Sequence, residues 1–316
     1  MVDRQNLSSQ SDTMLQRTAI ATRLTIPAPL AVLELFKPIT WFAPMWAFMC
    51  GVVSSGVSIQ ARWHLLLGGV VLAGPLICAT SQAVNDWYDR NVDAINEPNR
   101  PIPSGRIPGR WGLWIAIVWT IVSLLFASLL GTWVFCAAVL GLVLSWIYSA
   151  PPLRLKQSGW YGPAAVALSY EGITWFTGAA VMTGALPNWR IIFFAALYSV
   201  GTHGIMTLND FKAVEGDRQT GLRSLPVVLG VDNAARLSCV VMAVPQIAVV
   251  VALLNWHRPL YAGLVGVLVV VQLALMSRLL RNPRQYAPWY NATGTSLFVL
   301  GMLASAFAVR SIVGGL

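Results

Sequence analysis

The chain has 316 residues, of which 56% are apolar and 10% are charged, and its mean hydropathy is +0.65. This composition excludes a soluble globular protein and indicates an integral membrane protein. A net charge of +9 would suit a nucleic-acid-binding protein, but the basic residues follow a membrane topology instead, as described below.

The first part of the chain, residues 1–34, is polar and contains Asp3 and Asp12. It lacks the apolar stretch of a secretory signal sequence. We expect this segment to be partly disordered or interfacial, with residues 24–36 along the membrane surface. Residues 35–316 then form a single transmembrane domain.

Apolar segments of about 20 residues recur through the rest of the chain, and each is long enough to cross a bilayer as an α-helix. They predict an all-α membrane protein with nine transmembrane helices. The segments span residues 38–58, 64–88, 111–130, 132–150, 160–183, 189–209, 233–255, 259–280 and 289–313.

Basic residues fall mainly on one side of this predicted topology. The segments on the side of the N-terminus carry 17 of the 21 lysines and arginines, and the opposite side carries 4. Such an asymmetry places the N-terminus and the connections on its side in the cytoplasm. Every acidic residue except Glu171 lies on that side as well.

The densest group of acidic residues lies at the end of the second span. On an α-helix its polar side chains occupy an arc of roughly 100°, so their oxygens can converge on one point. Carboxylates crowded in this way repel one another and need a cation, and hard oxygen ligands suit Mg²⁺. The alternative is a helix end whose acids are only solvated. The residues are Asn85, Asp86, Asp89 and Asp93.

The connection after this group contains Pro98, Pro101, Pro103 and Pro108, which predict a rigid loop over the end of the helix. Arg100 lies within it, and its planar guanidinium matches the oxygens of a phosphate group. Contact with a lipid headgroup is the other interpretation of this arginine.

The fourth span ends in Tyr148 and Ser149 and is followed by Arg154 and Lys156. These residues bring a phenol, a hydroxyl and two cations to the same membrane face as the acidic group. Binding of a diphosphate is one interpretation of the two cations. The general excess of basic residues on the cytoplasmic side is the other.

A second polar group follows the sixth span. Asp210 and Asp217 are seven residues apart, so they share a helix face, and His203 continues that face into the membrane. Asn209, Lys212 and the later Arg223 give this group the same mixture of charges as the first. The two groups predict a cage assembled from the two halves of a helix bundle.

Three further residues are candidates for a substrate cavity. Glu171 lies near the middle of the fifth span and should face the bundle interior, either in the cavity or as a protonated, hydrogen-bonded structural residue. His203 either binds a ligand or transfers a proton, or it forms a hydrogen bond with a neighbouring helix. Phe42 contacts a ligand or belongs to an interfacial aromatic belt with Lys37 and Trp41.

Three long motifs resemble those of the UbiA-type intramembrane prenyltransferase superfamily, in particular its chlorophyll and bacteriochlorophyll synthase branch. The resemblance covers about residues 35–310, and sequences in the first, second and fifth spans are closer to the bacteriochlorophyll side. The motifs are NDWYDRNVDAINEPNRPIPSG at 85–105, IYSAPPLRLKQSGW at 147–160 and NDFKAVEGDRQTGLRSLPVVLG at 209–230.

The resemblance implies a ring of nine transmembrane helices with polar cytoplasmic caps over a central cavity. It implies that the acidic motifs bind Mg²⁺ and the diphosphate of an isoprenoid donor. The catalytic residues would be Asp86, Asp89, Asp93, Asp210 and Asp217, and the metal ligands would be these and Asn85. The diphosphate-binding residues would be Asn85, Arg100, Tyr148, Arg154, Lys156, Asn209, Lys212 and Arg223. Many relatives have an aspartate where this chain has Ala213, which leaves open how many metal ligands the second motif supplies.

The implied reaction is esterification of the propionate of bacteriochlorophyllide in a bacterial inner membrane. Its partners would be the isoprenoid diphosphate, the pigment, the lipid bilayer and pigment-binding or pigment-biosynthesis proteins. The alternatives are a chlorophyllide acceptor, prenylation of an aromatic ring or haem, an ion transporter and a pigment store. The identity of the isoprenoid tail stays open.

Overall fold

The computed structural model describes residues 26–314, which are helical nearly throughout. Most of the predicted polar segment 1–34 lies outside the described residues, so its partial disorder stays a prediction. Its described end includes a short helix. The helices are α1 (Pro29–Leu35), α2 (Phe42–Ser54), α3 (Ile59–Asn96), α4 (Trp111–Leu130), α5 (Thr132–Ser149), α6 (161–183), α7 (Trp189–Leu208), α8 (Val214–Thr220), α9 (Leu225–Leu229), α10 (Val231–Asn255), α11 (Pro259–Leu279) and α12 (Pro283–Val313).

Within residues 26–314, seven helices are long and apolar enough to cross a membrane. The predicted all-α membrane protein is confirmed, and the chain is a multi-pass membrane protein. Helix α2 with its preceding turn, Pro38–Ser54, is shorter, and α6 is divided by a π-helical turn. All nine predicted segments coincide with these helices, but the count of nine crossings stays a prediction.

Helices α2 and α6 approach each other closely because glycines face each other across the interface. A Cβ atom on Gly51 would lie 2.0 Å from the carbonyl oxygen of Trp175, and one on Gly178 would lie 2.0 Å from that of Phe48. Only hydrogen fits at either position. Small residues commonly permit such backbone approach between membrane helices, and here they join the first and fifth predicted spans.

Two long helices contain a π-helical turn, Leu72–Cys78 in α3 and Leu168–Ile173 in α6. Pro75 lies in the first of these turns and lacks the N–H that a regular helix requires. The two turns meet, since Cys78 Sγ lies 3.5 Å from the hydroxyl oxygen of Tyr170. A π turn adds a residue to the helix, redirects the side chains around it and is frequent at functional sites.

Candidate active site

Both acidic motifs border one cavity of about 810 Å³, which we name the polar chamber. Helix α3 supplies one side of it, and the end of α7 with α8 supplies another. The two motifs therefore face a common space, as the sequence predicts. The predicted residues that border it are Asn85, Asp89, Asp93, Tyr148, Arg154, Lys156, Asn209, Asp210, Lys212 and Asp217.

Two cations of the motif at 147–160 contact Asp89 in this chamber. Lys156 Nζ lies 2.5 Å from both carboxylate oxygens, and Arg154 Nη2 lies 3.2 Å from Oδ1. Burial lowers the pKa of Lys156, although its hydrogen bond to Asp89 opposes that change. Asp89 therefore favours the ammonium form of this lysine, and another anion in the same position would do so too.

The loop that carries these cations is fixed by backbone pairing with the segment before α9. Gly159 N donates to the carbonyl oxygen of Arg223 at 2.8 Å, and Arg223 N donates to that of Gln157 at 3.0 Å. The side chain of Arg223 is exposed and does not border the polar chamber. Its role in binding diphosphate stays a prediction.

Asp86 is held behind the chamber by two cations. Lys37 Nζ lies 2.6 Å from its Oδ1, and Arg100 Nη1 lies 3.6 Å from the same atom and 2.8 Å from Asp93 Oδ2. Asp86 is only 1% exposed, and its Oδ2 has no hydrogen-bond partner among the described residues. Burial tends to lower the pKa of Arg100, but the two aspartates outweigh that effect and raise it.

The three aspartates of the first motif are each paired with cations. Asp86 contacts Lys37 and Arg100, and Asp89 contacts Lys156 and Arg154. Residues 26–314 contain no group of three or more histidine, cysteine, aspartate or glutamate side chains arranged to hold a metal ion. Metal binding by these residues stays a prediction.

Sequence reasoning missed Lys37, which it assigned to the membrane interface. The lysine precedes Pro38 at the start of the first span, on the face predicted to carry the acidic motif. A lysine at that position, on the same predicted membrane face as several carboxylates, is the feature of the sequence that could have indicated this ion pair. The residue adopts a positive φ of 46° at the turn before Pro38–Trp41.

The second motif faces the first from across the chamber. Asp217 accepts a hydrogen bond from Ser224 Oγ at 2.7 Å, and both residues border the chamber. Asp210 lies on the turn Asn209–Lys212 that follows α7. Asn209 Oδ1 accepts from Asn291 Nδ2 at 3.0 Å, so helix α12 also supports this motif.

A second cavity of about 500 Å³ adjoins the polar chamber, and we name it the apolar chamber. The two share five bordering residues, which are Asn85, Tyr148, Val166, Met206 and Asn209. Tyr148 also borders the polar chamber together with Asp89 and Asp210. This tyrosine therefore stands where the two acidic motifs and the two chambers meet.

The three candidates for the substrate cavity lie in different surroundings. Phe42 borders the apolar chamber and is 60% exposed. Glu171 is buried in the π turn of α6, and its Oε2 has no hydrogen-bond partner in the described part of the chain. His203 Nε2 lies 3.1 Å from the carbonyl oxygen of Trp160. Neither Glu171 nor His203 borders the two chambers, so their acceptor roles stay predictions.

The donor atoms of the polar chamber fit a hard divalent cation. Four aspartates and one asparagine border it, namely Asp89, Asp93, Asp210, Asp217 and Asn85. Oxygen ligands of this kind suit Mg²⁺, which binds a few side chains and leaves positions for substrate phosphate.

Known proteins with similar sequences belong to one family. The sequence pattern of the UbiA prenyltransferase family matches residues 38–309. The bacteriochlorophyll synthase 33 kDa chain of Cereibacter sphaeroides is 57% identical over 288 residues, covering 91% of this chain and 95% of that protein. The chloroplastic chlorophyll synthase of Oryza sativa is 38% identical, covering 87% of this chain and 76% of that protein.

Solved structures agree with these matches. A UbiA homolog from Archaeoglobus fulgidus, bound to GPP and Mg²⁺, superposes with a TM-score of 0.70 at 22% identity, covering 89% of this chain and 99% of that one. The resemblance that the three motifs indicate is confirmed. The chain belongs to the UbiA prenyltransferase family.

Proposed function

We propose that the chain is a bacteriochlorophyll synthase. It transfers a geranylgeranyl or phytyl group from its diphosphate to the propionate of bacteriochlorophyllide a, and it releases diphosphate. The observation that supports this proposal most strongly is that both acidic motifs border the polar chamber, and that this chamber meets the apolar chamber at Tyr148. The 57% identity to a bacteriochlorophyll synthase chain supports the choice of acceptor.

The diphosphate of the donor occupies the polar chamber. Lys156 and Arg154 point at Asp89 in the structure, and Lys212 borders the same space. Charge-assisted hydrogen bonds from lysine and arginine bind phosphate strongly. These residues hold the leaving group and stabilise the negative charge that develops on it.

Mg²⁺ is the ion that we assign to Asn85, Asp89, Asp93, Asp210 and Asp217, and when bound it supplies further positive charge to the departing diphosphate. Lys37 occupies one carboxylate oxygen of Asp86, and the other has no hydrogen-bond partner among the described residues. Asp86 in its present position orders Lys37 and Arg100 behind the chamber.

The reaction breaks the allylic carbon–oxygen bond of the donor, and its electron pair stays with the diphosphate. A propionate oxygen then bonds to the allylic carbon. A carboxylate with a pKa of about 4 to 5 is already ionised at neutral pH, so no general base is needed. The apolar chamber, which includes Phe42 and Tyr170, excludes the water that would otherwise capture the carbocation.

The bacteriochlorophyllide ring occupies the apolar chamber, and its propionate reaches the junction at Tyr148. Ile39 and Phe42 border this chamber and are exposed, so the pigment enters from the bilayer between them. We place the chain in a bacterial inner membrane with the N-terminus and the polar chamber on the cytoplasmic side, as the excess of basic residues indicates.

Membranes that contain the protein test this function. They are incubated with bacteriochlorophyllide, chlorophyllide or an aromatic quinone precursor, each combined with geranylgeranyl, phytyl or farnesyl diphosphate, and the products are identified by mass. We expect an ester of bacteriochlorophyllide in the largest amount. A prenylated quinone precursor without any pigment ester would overturn the proposal.

A further inference from the structure

Gln82 stands out among the polar residues of the apolar chamber. Its Nε2 donates to the hydroxyl oxygen of Tyr170 at 3.3 Å, and the side chain borders the chamber. Its carbonyl oxygen has no hydrogen-bond partner within residues 26–314. The other half of the bundle shows the contrast, since Gln246 and Gln272 bond to each other through both amides at 3.0 and 3.1 Å.

The amide of Gln82 is held from two helices. Gln82 follows the π turn of α3, and Tyr170 lies within the π turn of α6. Cys78 Sγ lies 3.5 Å from the same tyrosine hydroxyl and 3.6 Å from Thr40 Oγ1. The tyrosine therefore fixes the nitrogen end of the amide and leaves the oxygen end for a ligand.

Gln82 is half-buried, and its unpaired carbonyl oxygen is available to accept from or coordinate a ligand that enters the chamber. The acceptor in the proposed function has a ring whose pyrrole protons are replaced by magnesium, so the ring offers no N–H donor to this oxygen. Its magnesium has an open axial position and prefers hard oxygen ligands. A carbonyl oxygen beside the ring supplies such a ligand.

We propose that Gln82 determines acceptor specificity, and that its carbonyl oxygen, oriented by Tyr170, binds the axial position of the magnesium at the centre of the acceptor ring. The inference rests on the proposed function. Gln82 differs from the residues that bind the donor because it borders the apolar chamber and not the polar one.

Pigment binding by the purified full chain tests the assignment. Dissociation constants for bacteriochlorophyllide and for its metal-free form are measured by quenching of tryptophan fluorescence. We expect Gln82→Leu to weaken binding of the magnesium form by about tenfold, the effect of losing one favourable contact, and to leave binding of the metal-free form unchanged. The visible absorption band that reports axial coordination should shift between the wild-type and variant complexes.

Gln82→His is the companion variant, because an imidazole nitrogen can also bind a ring metal. It should restore the preference for the magnesium form that Gln82→Leu loses. Equal weakening for both pigments, or a preference for magnesium that persists in Gln82→Leu, would overturn the inference. Ser145→Ala is the matched control, since its hydroxyl donates to the carbonyl oxygen of Gly141 in its own helix.

Ester formation separates the two proposals. If the wild-type chain esterifies the pigment while the Gln82 variants keep their preference for magnesium, only the inference fails. If the wild-type chain binds and esterifies neither pigment, the proposed function fails and the inference with it. Thermal unfolding of each variant in the same detergent identifies loss of folding as a cause of weak binding.

Discussion

Lys156 Nζ lies 2.5 Å from both carboxylate oxygens of Asp89, in a chamber where both side chains are largely buried. The two residues are 67 positions apart in the chain. The two charges therefore neutralise each other in the chamber to which the proposed function assigns metal and diphosphate. In the proposed function, the diphosphate would replace Asp89 as the partner of the lysine, and the metal would replace the lysine as the partner of Asp89.

Replacement of Lys156 tests its part in this exchange. Lys156→Met should raise the KM for the isoprenoid diphosphate by about tenfold or more, because a buried charge-assisted contact is lost. The measurement is steady-state kinetics at saturating acceptor. Arg236→Met removes an exposed cation outside the chambers and should leave this constant unchanged. Unchanged donor kinetics in Lys156→Met would contradict the assignment.

Asp89→Asn should lower kcat by about a hundredfold or more, since the amide cannot hold a metal ion as a carboxylate does. Binding of bacteriochlorophyllide should remain, because Asp89 borders the polar chamber and not the apolar one. Pigment binding and ester formation are measured on the same membranes. Asp232→Asn, at the exposed start of α10, is the control. Full turnover in Asp89→Asn would rule out the metal assignment.

Removal of divalent metal should stop ester formation reversibly. A chelator in excess over Mg²⁺ should withdraw the ion that we assign to the polar chamber, and added Mg²⁺ should restore the rate. Product is followed by mass before chelation, after it and after the addition. Ester formation at an undiminished rate in the presence of the chelator would count against a magnesium site.

The close contact between α2 and α6 gives a prediction about stability. Gly178→Ala should lower the free energy of unfolding by about 1–3 kcal/mol, because the new methyl group meets the carbonyl oxygen of Phe48. Gly263→Ala is the matched control in α11, where an added Cβ meets no atom within 4 Å. Thermal or denaturant unfolding in detergent compares the two. Equal free energies of unfolding for the two variants would contradict this prediction, since they would show that α2 and α6 move apart without loss of stability.

The helices and the acidic motifs could be predicted from the sequence because both depend on neighbours in the chain. Apolar length determines which segments enter the bilayer, and helix periodicity places Asp210 and Asp217 on one face. The three motifs were long enough to indicate the family. The uneven distribution of basic residues predicted that both acidic motifs lie at one membrane face, and both border one chamber.

Local periodicity could not show which cation each carboxylate meets. Lys37 and Asp86 are 49 residues apart, and their contact depends on how α2 and α3 pack. The sequence places Glu171 in the fifth span, but it could not show that this residue lies outside both chambers.

Sequence alone determined the membrane class, the helical segments and the two acidic motifs, since hydropathy and periodicity act over neighbouring residues. Tertiary structure alone decided the pairing of Asp89 with Lys156, the junction of two chambers at Tyr148 and the unpaired oxygen of Gln82. Those features arise where residues distant in the chain pack together, and their distances are set by the close contact of whole helices.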